Sequence, residues 1–595
     1  MVVKTHKFDI CTGDFFMTML SVGLSGLLTS RDALSVSSNN VANSSNPTYK
    51  RQLLKQASGL SQFSQGGYVG QGVKTLDVSR VTNQYLYNQI LKTSSEASYS
   101  ETLQTQLSRV DNIFAEGNNA LSQSFANFNA AAQDLSLRPA DNPARQQFLA
   151  ATSFLVDQFN SVSKRFDSIR ADQNAQIEFK VREINDLTAS LGRLNNAITR
   201  EFLNTDGKGV PLNLLDERDE LVLQLAEKID IQVVEGQRGE TNILMRQGQP
   251  LVLGGTTFNL LATTDITDPE TVVIGRLASD GSGELIRFAN KNLGRGELAA
   301  LLEFRDTALN QYQNTLGLMA LGFADQVNSI QTEGFELLDD PGPPPTPIAG
   351  SPLLQFASVP ADPLDNGISR VVASPFNADP ALRLAVAGIN TATLPGNEYE
   401  VFAVASGAGV EVRYRPVGSK TAGQPVSILG AGQFEVPGAF QFSINGGGLV
   451  AGDSFNVRLT ARAGLNLRMQ PLDLNQIVNR APGGGLGDNT QILKFTQVLD
   501  KPSLLQRGSY AGISIQDMFS RLVSVVGNDV VSASNNALAS NGVLESLSAE
   551  QSAVSGVNLD EEAAKLIQFQ QAYAANSKVI SLSKDLFDEL LNAIR

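Results

Sequence analysis

Two rows of large apolar residues at a seven-residue period frame this chain. Leu20, Leu27, Leu34 and Val41 recur every seven residues near the start, and Leu559, Leu566, Tyr573, Ile580, Phe587 and Ile594 do so at the end without a break. An apolar repeat of seven sustained over about five heptads is the mark of a helical packing seam. It predicts a helix of about six turns from Met19 to Val41 and a longer one at the other end, the two lying side by side as a coiled-coil pair. A second C-terminal row, Phe569 and Leu590, is interrupted by Asn576 and Ser583. The area buried by six such side chains falls short of the entropy of ordering the helix, so firm order is expected when many copies pack together.

Between these rows the chain alternates in character. Glycines cluster in "GGYVGQGV" from Gly66 to Val73, which lacks the Gly-Lys-Ser/Thr ending of a phosphate loop and reads as a tight hairpin. Helical periodicity dominates from about Thr82 to Phe202, broken by the two prolines of Arg138 to Gln146. Its last stretch predicts a rod of about 48 residues, or roughly 70 Å at the helical rise. The charged run Asp216, Glu217, Arg218 and Asp219 reads as capping the first turn of a short helix. Strand-like segments follow to about Phe288, and strong helix returns from Gly296 to Ile330. "PGPPPTP", Pro341 to Pro347, reads as a semi-rigid spacer. Alternating apolar and polar residues then mark a β-rich insert, and helix resumes after "APGGGLGDN".

These shifts give a multi-domain α+β chain: a discontinuous helical coiled coil or bundle made by both chain ends, with β-rich domains inserted centrally. The expected division joins 17–60 with 545–595 as a terminal coiled coil, and 61–205 with 295–340 and 487–544 as a helical bundle. Residues 206–294 form a small α/β domain, 341–350 a Pro-rich linker and 351–480 a β-rich outer domain. Residues 1–16 show no helical or strand period, and Met17 or Met19 stands directly before the periodic run. They are therefore expected to be a non-native or mis-assigned leader.

Composition narrows the function. The single Cys11 and single His6 both fall in that leader, and there is no Trp. Without them no Ser-His-Asp or Cys-His nucleophile and no His/Cys metal site can be built, leaving only carboxylate, Lys or Tyr chemistry. No pair of carboxylates stands in a recognisable catalytic context, so a wall-degrading glycosidase is disfavoured and no enzyme, cofactor or metal is expected. A net charge of −14 argues against nucleic acid and anionic membranes as partners. No apolar run is long enough for membrane insertion, and the start lacks a cleavable signal.

The stretch "SGLLTSRDALSVSSNNVANSSNPTYKRQ" resembles the N-terminal signature of bacterial flagellar rod, hook and hook-associated proteins, carried here by Ser38, Asn39, Asn40, Ala42, Asn43, Pro47 and Tyr49. Thr48 stands where those proteins have glycine, which disfavours a left-handed turn there. The ending "SGVNLDEEAAKLIQFQQAYAANSKVISLSKDLFDELLNAIR", with "GGYVGQGV", "LLDERDEL" and "GELAALLEFRD" in order before it, narrows the match to the family of hook-associated protein 1, the first hook-filament junction protein.

The resemblance implies a structural subunit of the flagellum. It implies a ring of about eleven copies between the hook protein and the second hook-filament junction protein, with the terminal rows as the packing seam. Asn39, Asn40, Asn43 and Pro47 would end the first helix and turn the chain outward. Extracellular placement would follow export, unfolded and without a cleaved signal, through the flagellar type III apparatus. A cytoplasmic chaperone would hold the C-terminal helix beforehand. The rival readings are a hook or distal rod subunit, and an exported adhesin carried by the β-rich insert.

Overall fold

A computed structural model describes residues 11–594 except 47, 65–66, 116–119, 207–208, 266–267, 269, 279–284, 289–291, 341–345, 358–365, 375–376, 380, 395–397, 408, 418, 420, 431, 486 and 507–511. Residues 1–10 of the expected leader, and Pro47, lie outside the described residues. The rest of that leader does not: the first helix, α1, spans Cys11–Ala42, so the helix begins upstream of both methionines. The apolar period is absent before Met17, but Phe15 and Phe16 and the polar residues around them carry no Pro or Gly pair that would break a helix.

After α1 the chain forms a long antiparallel hairpin of β1 (Gln52–Ser58) and β4 (Val73–Arg80), tipped by a short one of β2 (Gln62–Ser64) and β3 (Gly67–Val69). The glycine cluster therefore builds a hairpin. Gly72 has φ 84, and a Cβ there would overlap the Ser25 hydroxyl of α1. Because the hairpin runs from Gln52 to Arg80, it straddles the boundary expected after residue 60.

Helices α2 (Gln84–Ala115), α3 (Ala120–Leu137) and α4 (Asn142–Asn204) follow. Pro143 sits in the first turn of α4, where a missing N–H costs nothing, so the proline-rich segment starts this helix as well as ending the previous one. Helix α4 has 63 residues. At the helical rise it is about 95 Å long, longer than its C-terminal apolar stripe alone predicts. Its N-terminal half packs Phe148, Phe159 and Phe166 into the main core. Its C-terminal half packs Ile177, Val181, Ile184 and Leu191 into a second core. That second core is completed by α5 (Leu212–Lys228) and two small antiparallel sheets between Ile231 and Arg287. Asn195 secures the four-stranded one to the rod, donating to the Thr241 and Gly254 carbonyls at 2.7 Å each and accepting from the Thr241 N–H at 3.0 Å.

A continuous helical stretch then returns through the main core as α6 (Glu297–Glu303), a π-helical turn at Phe304–Leu309 and α7 (Asn310–Glu333). Beyond it the expected linker corrects to part of a hairpin. Thr346–Ala349 pairs with Phe335–Asp340, and Pro347 is tolerated because a two-stranded sheet has only edges. The β-rich insert is a sandwich of a five-stranded and a four-stranded antiparallel sheet. Its inner faces bring together Tyr399, Val401, Phe455 and Val457 with Leu384, Val386, Phe440 and Phe442. The sandwich is not an appendage, since its core is continuous with that of the bundle. Its last strands lead through α8 (Ala463–Asn466), packed on α4 and α7, to α9 (Thr490–Phe495).

Two helices close the chain. α10 (Ile515–Ser555) runs antiparallel along α2, with Phe519 edge-on to Phe114 at 6.2 Å, and carries on past the boundary expected at residue 545. Gly556 ends it, and α11 (Leu559–Ile594) then lies antiparallel to α1.

Candidate functional site

Helices α1 and α11 do pair, but not through the leucine row. The stripe of α1 turned inward is Gly23, Gly26, Ser30, Ala33, Ser37 and Asn40, spaced alternately by three and four as in a heptad seam but built from small and polar side chains. Gly23, Gly26, Ser37 and Asn40 meet α11 directly. On α11, Glu562, Asn576, Val579 and Ile580 meet this stripe, and half-buried Phe569 and buried Ser583 continue the row of Glu562 and Asn576, the one that the sequence pattern presents as interrupted. Small residues let the backbones approach closely. A Cβ on Gly23 would lie 3.1 Å from Ile580, and one on Gly26 would lie 2.5 Å from the Asn576 side chain.

The expected seam residues flank this contact or point away from it. Leu27, Leu34, Val41, Leu566 and Ile580 are half-buried, whereas Leu20, Leu559, Tyr573 and Phe587 are exposed. Ile594 ends α11 among positions whose side chains lie outside the described residues, as does Leu590. Leu24, Leu28, Ile567, Leu582 and Leu586, which the seven-residue rows do not include, are exposed as well. One chain thus presents a helix pair whose contact is built largely from small and polar residues, with several large apolar side chains left exposed among the polar ones on its outside. A helix pair in water ordinarily has its apolar stripe inward.

The signature residues meet where this pair joins the rest of the molecule. Asn40 is only 1% exposed and uses its whole amide. Its Nδ2 donates to the Gln52 carbonyl at 3.0 Å and to Glu562 Oε2 at 3.2 Å. Its Oδ1 accepts from the Gln52 N–H at 2.9 Å and from the Tyr49 hydroxyl at 2.8 Å. The side chain therefore bonds both backbone groups of Gln52, as a neighbouring strand would, and fixes where β1 begins. Asn39 is exposed and donates to Tyr49 at 3.2 Å. Asn43 donates from its side chain to the Asn39 carbonyl at 2.9 Å and closes the end of α1. Ser38 and Ala42 are exposed. Thr48 is not left-handed: its N–H donates to the Asn46 side chain at 3.1 Å in an Asx turn, which needs no glycine.

Pairing also crosses to the other chain end. The Arg51 N–H donates to the Ser555 carbonyl at 2.8 Å, and its guanidinium meets Glu561 at 3.0 Å, tying β1 to the break between α10 and α11. Burial pushes the Glu562 carboxyl up, but hydrogen bonds from Lys565, Asn40 and Ser37 together outweigh it and hold the group below the ordinary glutamate value. Burial, reinforced by the charge of Asp216, pushes the Tyr49 phenol up to about 12, so it is a donor at any physiological pH.

The acidic run of α5 corrects the capping expectation. Asp216 and Asp219 lie beyond the first turn, are buried, and both accept from Arg80 of β4, at 2.7 and 2.9 Å, while Arg218 pairs with Asp219 at 2.7 Å. They join the hairpin to the small α/β domain. Among the described residues there is no group of three or more His, Cys, Asp or Glu able to hold a metal, and no helix is long and apolar enough to cross a membrane. What this arrangement can do is mechanical: it holds two distant chain ends in register and turns an apolar surface outward.

Known proteins share both ends and the middle. The family model described as the flagellar hook-associated protein FlgK helical domain matches residues 107–344, and that of the flagellar basal body rod FlgEFG protein C-terminal matches residues 550–593. Flagellar hook-associated protein 1 of Salmonella typhimurium is 29% identical over 586 residues, covering 97% of this chain and 99% of the relative. The protein of the same name from Escherichia coli is 28% identical with the same coverage, and that from Bacillus subtilis is 22% identical over 94% of this chain and 95% of its own. In fold the chain resembles the flagellar hook junction protein FlgK from Burkholderia pseudomallei, with a TM-score of 0.66 at 18% identity over 79% of this chain and 100% of that one. A FlgK domain matching the helical bundle, FlgK relatives aligned along nearly the whole length and a FlgK-like fold together make this chain similar to the flagellar hook-associated protein FlgK family.

Proposed function

We propose that this chain is a structural subunit of the junction between hook and filament, not an enzyme, and that the outward face of its α1–α11 pair is the surface by which copies pack around the flagellar axis. The observation that carries this reading is what the pair leaves outside: its contact is made largely by small and polar residues, while Leu20, Leu24, Leu28, Tyr573, Leu582 and Leu586 are exposed. Exposed apolar rows that long are a liability in a monomer and an asset in an assembly. Family relatives carry the name flagellar hook-associated protein 1, which suits a ring of about eleven copies seated on the hook protein and capped by the second junction protein.

The same face suits a cytoplasmic chaperone before export, because an amphipathic helix with apolar residues at Ile567, Leu582 and Leu586 fits a groove. In this reading the terminal pair is the axial domain, the bundle its support and the sandwich the outer domain. The test is to delete the gene in its host, image the cells and assay the medium for filament protein. Bare hooks with filament protein lost to the medium are expected. Absent hooks would move the chain to a rod or hook subunit, and normal filaments would refute the reading.

A further inference from the structure

Where the bundle, the small α/β domain and the sandwich meet, four arginines converge on a cavity of about 30 Å³, room for one water-sized sphere. Arg170 comes from α4, Arg370 and Arg458 from strands of the sandwich, and Arg462 from the turn before α8. Three of them have carboxylate partners. Arg370 pairs with Asp268 and with Glu270, the latter at 2.7 Å, while Arg462 meets Glu270 and Arg458 meets Glu398, each at 3.4 Å.

Arg170 differs. It is 5% exposed, and its Nη2 donates only to neutral amide oxygens, Asn310 Oδ1 at 2.5 Å and Gln313 Oε1. Its Nη1 is buried without a hydrogen-bond partner. Asn310 Oδ1 also accepts from Arg458 at 3.2 Å, so two guanidinium groups share one neutral oxygen. Asp167 lines the cavity too and accepts from Gln313 at 2.9 Å; burial, aided by Glu270, raises its carboxyl, against the opposing charges of Arg170 and Arg370. Asp306 and Asp167 act on Arg170 through their charge, but a buried cation whose hydrogen bonds reach only neutral amides and which keeps one nitrogen unbonded is costly, and the ordinary remedy is a counter-charge in contact.

We propose that this three-domain cavity binds one monovalent anion of chloride size, held by Arg170 Nη1 and lined by Arg370, Arg458 and Arg462. The anion completes the charge balance that seats the sandwich on the bundle. Sulfate and phosphate exceed the space. In keeping with this, burial and then the neighbouring arginines bring Arg370 down to about 8 and Arg170 to about 10.

The test uses the full chain. Crystals grown in bromide should show an anomalous peak within hydrogen-bond reach of Arg170 Nη1. Replacing chloride by gluconate at constant ionic strength should lower the melting midpoint by about 2 °C, a shift that Arg170→Gln should abolish. No bromide peak in the cavity, or a wild-type midpoint indifferent to halide, overturns the proposal and leaves a water there. The bromide experiment decides the matter even where Arg170→Gln does not fold, and neither readout depends on the junction role.

Discussion

Replacing Asn40 with Ala strips four hydrogen bonds from one buried amide. Left behind are the N–H and carbonyl of Gln52, the Tyr49 hydroxyl and a buried carboxylate oxygen of Glu562. Neutral hydrogen bonds of this kind contribute about 1 kcal/mol each and one to a charged group about 1.5–3 kcal/mol. Because β1 opens on α1, water can reach some of the orphaned groups, so the loss settles at about 2–4 kcal/mol, below the sum. The loss is local to the clasp and not to the bundle core. Native-state hydrogen exchange reads it directly: the Gln52 amide should exchange about 30- to 700-fold faster, while amides of α4 keep their protection. Asn40→Asp should be at least as harmful, since it replaces a donor to Glu562 with a second carboxylate. A Gln52 amide as slow in Asn40→Ala as in wild type would show that the clasp does not hold the hairpin, and the reasoning would be refuted.

Other perturbations test the remaining joints. Gly317 of α7 lies so close to the Thr460 backbone that a Cβ would overlap its carbonyl oxygen. Gly317→Ala should therefore cost on the order of 3 kcal/mol by overpacking and lower the urea midpoint. Glu562 sits below its ordinary value of 4.5, so its contribution is fully present above that pH and lost as pH falls through the folded value. Corrected for the intrinsic slowing of exchange in acid, the protection factors of α11 amides should fall as the pH drops below that ordinary value, and Glu562→Gln should remove this pH dependence. Excising Ser351–Leu472 should unfold the bundle and not merely shorten the molecule, because Leu353, Leu459 and Leu467 belong to its core. Circular dichroism of the truncated chain with native helix content and cooperative melting would contradict this.

Much of the architecture was legible in the sequence, because periods of seven and of two are properties of helix and strand that tertiary context does not erase. The terminal helices, the rod and the antiparallel insert all follow from them. Which face a helix buries was not legible. Hydrophobic patterning ranks Leu20 and Leu27 above Gly23, Gly26 and Ser37, whereas close packing of α1 on α11 needs the small residues inward. Nor could the row of Phe569, Asn576 and Ser583 be read as a seam while its polar members seemed to break it. Long-range polar joints leave no periodic trace: Asn40 and Glu562 stand 522 positions apart, and Arg80 reaches α5 across 136. Asp216 and Asp219 illustrate the same gap, since a charged cluster near a helix start looks like a cap until its cation arrives from elsewhere. The sandwich strands were visible from alternation, but the continuity of their core with the bundle depends on pairings between residues far apart in the chain.

The most direct test of the assembly surface separates folding from packing. Leu24→Ser with Leu28→Ser, and separately Leu582→Ser with Leu586→Ser, alter side chains that are exposed in the single chain. The purified proteins should therefore match wild-type stability within about 0.5 kcal/mol, as surface substitutions do. Returned to cells lacking the gene and exported normally, they should leave hooks bare and filament protein in the medium. Normal filaments from stably folded, exported variants would contradict the claim that this face joins neighbouring subunits.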